Sequence, residues 1–145
     1  MPSRIAETRW TGGLMDGAGV ATLVSSGAGA FDVNFPRRAA DDAEGVTSPE
    51  ELIAAAHSAC YAMQFSALIG RSEGVPVSLD VTAQVTLEPD PAGGFRISEI
   101  ALKVRGVVQN LDEATFKEIA DAAKASCPVS KALTGTTITL DAAFA

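Results

Sequence analysis

The chain has 145 residues, 47% of them hydrophobic, which suits one globular domain spanning residues 1–145 and excludes an intrinsically disordered chain. Its 18 acidic and 11 basic residues leave a net charge of −7, which argues against non-specific binding to nucleic acid or to an anionic membrane, since both need basic patches. The N-terminus carries no basic segment followed by an apolar run and a cleavage site, so a cytoplasmic protein is expected. In that compartment two cysteines are more often free, catalytic or redox-active than a structural staple.

In chain order, Arg4 to Trp10, Gly19 to Ser25 and Phe31 to Phe35 are compatible with short strands, punctuated by Gly12-Gly13 and Gly27-Ala28-Gly29. Pro36 to Val46 is polar and irregular and reads as a loop. Thr47-Ser48-Pro49-Glu50-Glu51 is a helix start: Ser48 suits the N-cap, Pro49 the first helical position, and the two glutamates complement the helix dipole. The helix should run to about Ile69 and stop at Gly70 or Gly74. Its charge-free run from Leu52 to Ile69 approaches the length of a membrane span, about 20 residues. His57, Ser58, Gln64, Ser66 and the many alanines favour instead a fully buried central helix.

Ser78 to Glu88 alternates, with Leu79, Val81, Ala83, Val85 and Leu87 on one face. Pro89 to Gly94 is a turn and Phe95 to Val108 the returning strand, whose apolar phase slips near Ser98 or Glu99 and predicts a bulge. Asp112 caps an amphipathic helix with Phe116, Ile119, Ala120 and Ala123 on its inner stripe. Cys127-Pro128 breaks it, and Ile138, Leu140, Ala142 and Phe144 mark a last strand. Strands, long helix, hairpin, helix, strand is an α+β domain.

Cys60 lies mid-helix, where a thiol is often a small buried hydrophobe. Cys127 precedes Pro128 at a predicted helix start, where the partial positive charge lowers a thiol pKa, or where the residue is a passive cap. His57 and Cys60 share a helix face, which raises a metal site. Without a CxxC or HxxxH cluster the ligand set is thin, and the only histidine reads more readily as a hydrogen-bonded core residue. A Ser/His/Asp triad would have to use His57, and no nucleophile-elbow motif is present.

Thr-Ser-Pro-Glu-Glu-Leu-Ile-Ala-Ala-Ala-His-Ser-Ala-Cys-Tyr-Ala-Met, Thr47 to Met63, resembles the helix signature of OsmC/Ohr proteins. Cys-Pro-Val-Ser-Lys-Ala-Leu, Cys127 to Leu133, resembles their second-cysteine motif, and Ile138 to Asp141 their last strand. Val129 after Cys-Pro and Ala-Ala-His before Cys60 are closer to the OsmC branch than to the Ohr branch. The resemblance implies a fold of antiparallel sheets around a long central buried helix, in an intertwined homodimer. It implies a peroxidase of the peroxiredoxin type that needs no metal, haem or other cofactor. Such an enzyme reduces organic hydroperoxides, and hydrogen peroxide, in oxidative-stress defence. Cys60 maps to the peroxide-attacking thiol and Cys127 to the resolving thiol. Glu50 maps to the family glutamate ten residues before the first cysteine. For the family arginine two candidates stand side by side, Arg37 and Arg38; Arg38 is favoured by the Ala39-Ala40-Asp41 that follows it. An external dithiol, a lipoyl-type dithiol among the candidates, would restore both thiols.

The chemistry fits these residue types. The thiolate, not the thiol, attacks the O–O bond, and Cys60 is too deep in its helix to benefit from the N-terminal dipole. It needs a cation, and an arginine stays protonated and can donate to the peroxide. Glu50 and Cys60 are ten residues apart on one predicted helix, about 15 Å along its axis. A two-fold axis near Ala55 would bring Glu50 of one chain beside Cys60 of the other, and Ala54, Ala55, Ala56 and Ala59 are small enough for that packing. The competing reading is a non-catalytic dimeric binding module for a small apolar ligand, with structural cysteines. A third is an organisational protein without small-molecule chemistry.

Overall fold

A computed structural model describes residues 1–145, which divide into two compact units, Met1–Leu52 and Ile53–Ala145. In the first unit, strands β1 (Glu7–Thr11), β2 (Ala18–Thr22) and β3 (Ala30–Val33) form an antiparallel sheet in that order. The β1–β2 turn closes so tightly that a Cβ at Gly17 would stand 2.2 Å from the Gly13 carbonyl oxygen, so only glycine fits. The expected loop from Pro36 begins instead with a one-turn helix, α1 (Phe35–Arg38). Asn34 caps it by accepting the Arg37 N–H at 2.9 Å, and Pro36 sits in its first turn, where a missing N–H costs nothing.

Helix α2 (Pro49–Arg71) starts in the first unit and continues through the second. Ser48 Oγ accepts the Glu51 N–H at 3.1 Å, the cap expected from the sequence. The helix runs through Gly70 and closes on Glu73, held at φ 64: the Glu73 N–H reaches Gly70 O at 3.2 Å and the Gly74 N–H reaches Ile69 O at 3.0 Å. That pair of bonds is a Schellman closure with glutamate where glycine is usual.

The second unit holds β4 (Val75–Pro89), β5 (Phe95–Gln109), α3 (Glu113–Ser126), α4 (Pro128–Ala132) and β6 (Thr137–Phe144). The sheet order is β4-β5-β6. β4 and β5 form an antiparallel hairpin, whereas β6 lies parallel to β5, a departure from the antiparallel pairing expected throughout. The reason is topological: α3 and α4 form the crossover that carries the chain back to the same end of the sheet. Thr86 pairs with Glu99 and Leu87 with Ile97, so Ser98 is the bulged residue the phase slip predicted. A second bulge, at Val77, was not foreseen.

The core of this unit is built by Tyr61, Phe65 and Ile69 of α2, Leu102, Val104 and Val108 of β5, and Phe116, Ile119, Ala120 and Ala123 of α3. The α3 stripe is the one its amphipathic spacing predicted. Phe116 sits edge-on to Phe65, with ring centroids 5.1 Å apart, and 5.1 Å from Phe144 on its other side. It lies over Gly106, where a Cβ would come within 2.7 Å of its ring. The Tyr61 hydroxyl donates to Ala120 O at 3.1 Å, so the phenol is satisfied inside the core.

Within the single chain α2 is buried on one face, as a helix expected to be central to a dimer leaves room for. Its buried positions in the second unit are His57, Tyr61, Phe65 and Ile69, spaced by four, whereas Ala55, Ala56, Ala59, Met63 and Ala67 are exposed. Uniform apolarity around a helix tells how much surface wants cover; it does not tell what covers it.

Candidate active site

Cys60 is half-buried in the middle of α2, and Cys127 is fully buried at the junction of α3 and α4. The local sequence dictates that junction. Pro128 cannot donate an N–H and restricts the residue before it to extended backbone, so α3 ends at Ser126 and Cys127 takes φ −58, ψ 124. Cys127 closes one helix with its N–H on Ala123 O at 2.9 Å and opens the next by accepting the Lys131 N–H at 3.0 Å. The two thiols are free, and the Cys127 S–H points at Cys60 Sγ, with 2.8 Å between the sulfurs. The thiol pair predicted from two separate motifs is therefore brought together across a sequence separation of 67 residues.

Burial pushes the Cys60 thiol up, as do the hydrogen bond to Cys127 and the like charge of a Cys127 thiolate; the backbone of Val129 pulls the other way. No cation is among the groups that shift it. Within the single chain the two thiols are thus closely placed, and the groups around Cys60 on balance raise its pKa.

The two adjacent arginines, of which Arg38 is the one favoured from the sequence, part company on α1, because successive helical residues point about 100° apart. Arg38 Nε donates to both oxygens of Glu50 at 3.2 Å, and its Nη2 donates to Oε1 at 2.7 Å. Arg37 pairs with Glu44. Glu50 is only 7% exposed, so the guanidinium supplies the charge-assisted bonds that a nearly buried carboxylate requires. The remaining third of the Arg38 side-chain surface is free. It contributes to a groove of about 440 Å³ in the first unit, otherwise lined largely by apolar groups including Trp10, Leu14, Phe35 and Leu52.

His57 is a buried residue whose Nε2 lies 2.7 Å from Ser130 Oγ; Nδ1 has no partner, and burial lowers the imidazole pKa. This is the hydrogen-bonded core role the sequence favoured. Two further pairs of the same region were missed by sequence reasoning: Gln64 Nε2 donates to Ser126 Oγ at 2.8 Å, and that hydroxyl donates to Ala122 O at 2.7 Å. Ser130 as the partner of His57 was missed too, although a spacing signal existed there: His57 stands three residues before Cys60 and Ser130 three after Cys127.

A family model described as OsmC-like protein matches residues 41–141. Over 135 residues the chain is 40% identical to the peroxiredoxin OsmC of Escherichia coli (strain K12), covering 93% of this chain and 92% of that protein. It is 34% identical over 93 residues to the organic hydroperoxide resistance protein OhrA of Bacillus subtilis (strain 168), covering 63% of each. Among solved structures it is similar to the organic hydroperoxide resistance protein OhrB of Bacillus subtilis, at 29% identity and a TM-score of 0.74, over 95% of this chain and 97% of that one.

Proposed function

Because this chain belongs to the OsmC family of proteins, we propose that it is a peroxiredoxin-type hydroperoxide reductase in which Cys60 attacks the peroxide and Cys127 resolves the product. The whole chain, residues 1–145, is read as one functional domain of this kind, cytoplasmic, acting on organic hydroperoxides and on hydrogen peroxide in oxidative-stress defence. The observation that carries the reading is the pair of free thiols 2.8 Å apart, one half-accessible and one buried. Relatives named peroxiredoxin and organic hydroperoxide resistance protein support the substrate class.

The Cys60 thiolate attacks one peroxide oxygen; the O–O bond breaks, the alkoxide leaves and takes a proton, and Cys60 becomes a sulfenic acid. The Cys127 sulfur then displaces water from it to form the Cys60–Cys127 disulfide. An external dithiol, such as a lipoyl-type reductant, returns both thiols by exchange and is itself oxidised.

The missing cation is supplied by assembly. Ten residues along α2 amount to about 15 Å, so Glu50 does not serve Cys60 on the same straight helix. An antiparallel second copy of α2, crossing near Ala55, would set Arg38 and Glu50 of the partner subunit beside Cys60. The exposed Ala55, Ala56 and Ala59 allow close approach, and the exposed Met63 gains cover. In this homodimer Arg38 lowers the thiol pKa and donates to the peroxide, and Glu50 aims the guanidinium. The apolar groove beside Arg38 suits the organic part of a hydroperoxide.

Intact mass and single-turnover kinetics test the thiol roles. One equivalent of hydroperoxide should convert the parent to the disulfide. Cys60→Ser should abolish peroxide consumption, and Cys127→Ser should allow one fast oxidation that stalls at sulfenic acid or beyond. If Cys127→Ser loses the first oxidation while Cys60→Ser keeps it, the roles are reversed. A parent protein unmodified by hydroperoxide would favour the apolar binding module instead.

A further inference from the structure

The two side-chain hydrogen bonds between α2 and the Cys127 turn have an arrangement that the reaction as described leaves unused. His57 precedes Cys60 by three residues and Gln64 follows it by four, so both lie one helical turn from the thiol. Their partners bracket the other cysteine: Ser130 three residues after Cys127 and Ser126 immediately before it. The His57–Ser130 bond is buried at both ends, with exposures of 0% and 5%. Ser126 is itself fixed, since it accepts from Gln64 while donating to Ala122 O.

The turn needs such ties. α4 has five residues, and its N-cap, Cys127, makes no side-chain cap hydrogen bond. So short a helix does not hold its own shape in water. The position of the Cys127 sulfur therefore depends on what anchors the turn from outside.

We propose that His57 and Gln64 are positioning residues for disulfide formation, clamping the Cys127 turn through Ser130 and Ser126 at both ends of the thiol pair. The proposal rests on the assignment of Cys60 and Cys127 made above. Once Cys60 is a sulfenic acid, the Cys127 sulfur attacks the Cys60 sulfur, the S–O bond breaks, and the departing hydroxide leaves as water with the Cys127 proton. Only a small closure of the 2.8 Å gap is needed, because a disulfide bond is about 2.05 Å long. Holding the two groups in near-attack geometry removes the orientational cost of the step. Where the clamp is absent, the sulfenic acid waits, and a second peroxide oxidises it to sulfinic acid.

The test uses the full chain as it assembles in solution, with Ser126→Ala, Ser130→Ala, the double variant and Ser130→Thr. Stopped-flow measurement gives the first oxidation of Cys60. Mass spectrometry after excess hydroperoxide gives its partition between disulfide and sulfinic acid. Two hydrogen bonds at stake set an expected scale of about tenfold more sulfinic acid relative to disulfide in the double variant. The first oxidation should change by less than about twofold, which separates positioning from general loosening. Ser130→Thr, which keeps the hydroxyl, should restore the parent partition. Ser126→Ala, at a half-buried site, serves if Ser130→Ala does not fold. A second measurement needs no peroxide: equilibration with reduced and oxidised dithiothreitol should show the disulfide of the double variant about tenfold easier to reduce. Parent-like partition and parent-like dithiothreitol equilibrium in the double variant would overturn the clamp, as would a first oxidation slowed in parallel with resolution. A parent that forms the disulfide with dithiothreitol but ignores hydroperoxide would sink the peroxidase reading and leave the clamp standing.

Discussion

Replacing Arg38 by alanine removes one guanidinium and should have two separable effects. The first is local. Glu50, 7% exposed in the parent, loses three contacts, at 3.2, 3.2 and 2.7 Å, and with them its guanidinium partner. Charge-assisted hydrogen bonds are worth about 1.5–3 kcal/mol, and because a third of the Arg38 side chain is in water the lower end applies. The second effect reaches Cys60 through the proposed dimer. A cation about 4 Å from a thiolate contributes roughly 4 kcal/mol at an effective dielectric of about 20, and partial exposure reduces that to about 2–3 kcal/mol. That is roughly a hundredfold in thiolate population at neutral pH, and so in the rate of peroxide attack. Thiolate ultraviolet absorbance against pH and stopped-flow oxidation by an organic hydroperoxide read it directly. Arg38→Lys should fall between, since an ammonium keeps the charge and loses the fork. Arg37→Ala should change little, because that guanidinium is engaged with Glu44. Superimposable titration curves for Arg38→Ala and the parent would remove Arg38 from the mechanism and with it the need for a partner's cation.

The assembly itself is tested by mixing Glu50→Ala and Cys60→Ser chains. A hybrid dimer keeps one site with Glu50, Cys60 and Cys127 intact and should recover part of the activity, whereas a stable, fully active monomer in sedimentation would refute it. Gly106→Ala should destabilise the fold by about 1–3 kcal/mol in chemical denaturation, because the new methyl meets Phe116 at 2.7 Å and that ring is held between Phe65 and Phe144; a neutral effect would mean the ring has room to move. Burial lowers the His57 pKa below its ordinary value of 6.5, so on acidification the unfolded chain takes up that proton first. Stability should therefore fall as pH drops through the range near 6.5, and less steeply in His57→Gln; equal slopes would show that His57 does not contribute.

How far the molecule can be read from its sequence depends on whether a feature is periodic. The α3 stripe Phe116, Ile119, Ala120, Ala123 and the Ser98 bulge each leave a phase in the apolar pattern, and both are found where that phase puts them. Ser48-Pro49 marks the start of α2 by local chemistry alone. α1 is a single turn, too short for a period, and Phe-Pro-Arg-Arg composition resembles loop. The parallel direction of β6 is silent in its alternation, since residues alternate faces whichever way a strand runs. In the site, the two cysteine motifs pair Cys60 with Cys127 only through the family resemblance they carry together. Arg38 is favoured over Arg37 in the sequence only by the Ala39-Ala40-Asp41 that follows it, whereas the helical turn that aims the two side chains apart gives Glu50 to Arg38 and Glu44 to Arg37. Gln64 and Ser126 are commonplace on helix surfaces, and only their meeting, at 2.8 Å, gives them meaning.

In the proposed cycle, the 67-residue separation of the two cysteines would tie redox state to endurance. Closing a loop of that size removes chain entropy from the unfolded state worth about 4 kcal/mol, against a total stability of about 5–15 kcal/mol for an ordinary domain. In the proposed cycle, the molecule that has just spent its thiols is thus the harder one to unfold, and protease and heat reach it less often than its reduced counterpart. When reductant runs short, the spent molecules accumulate in their sturdiest form, a reserve that returns to service as soon as dithiol does.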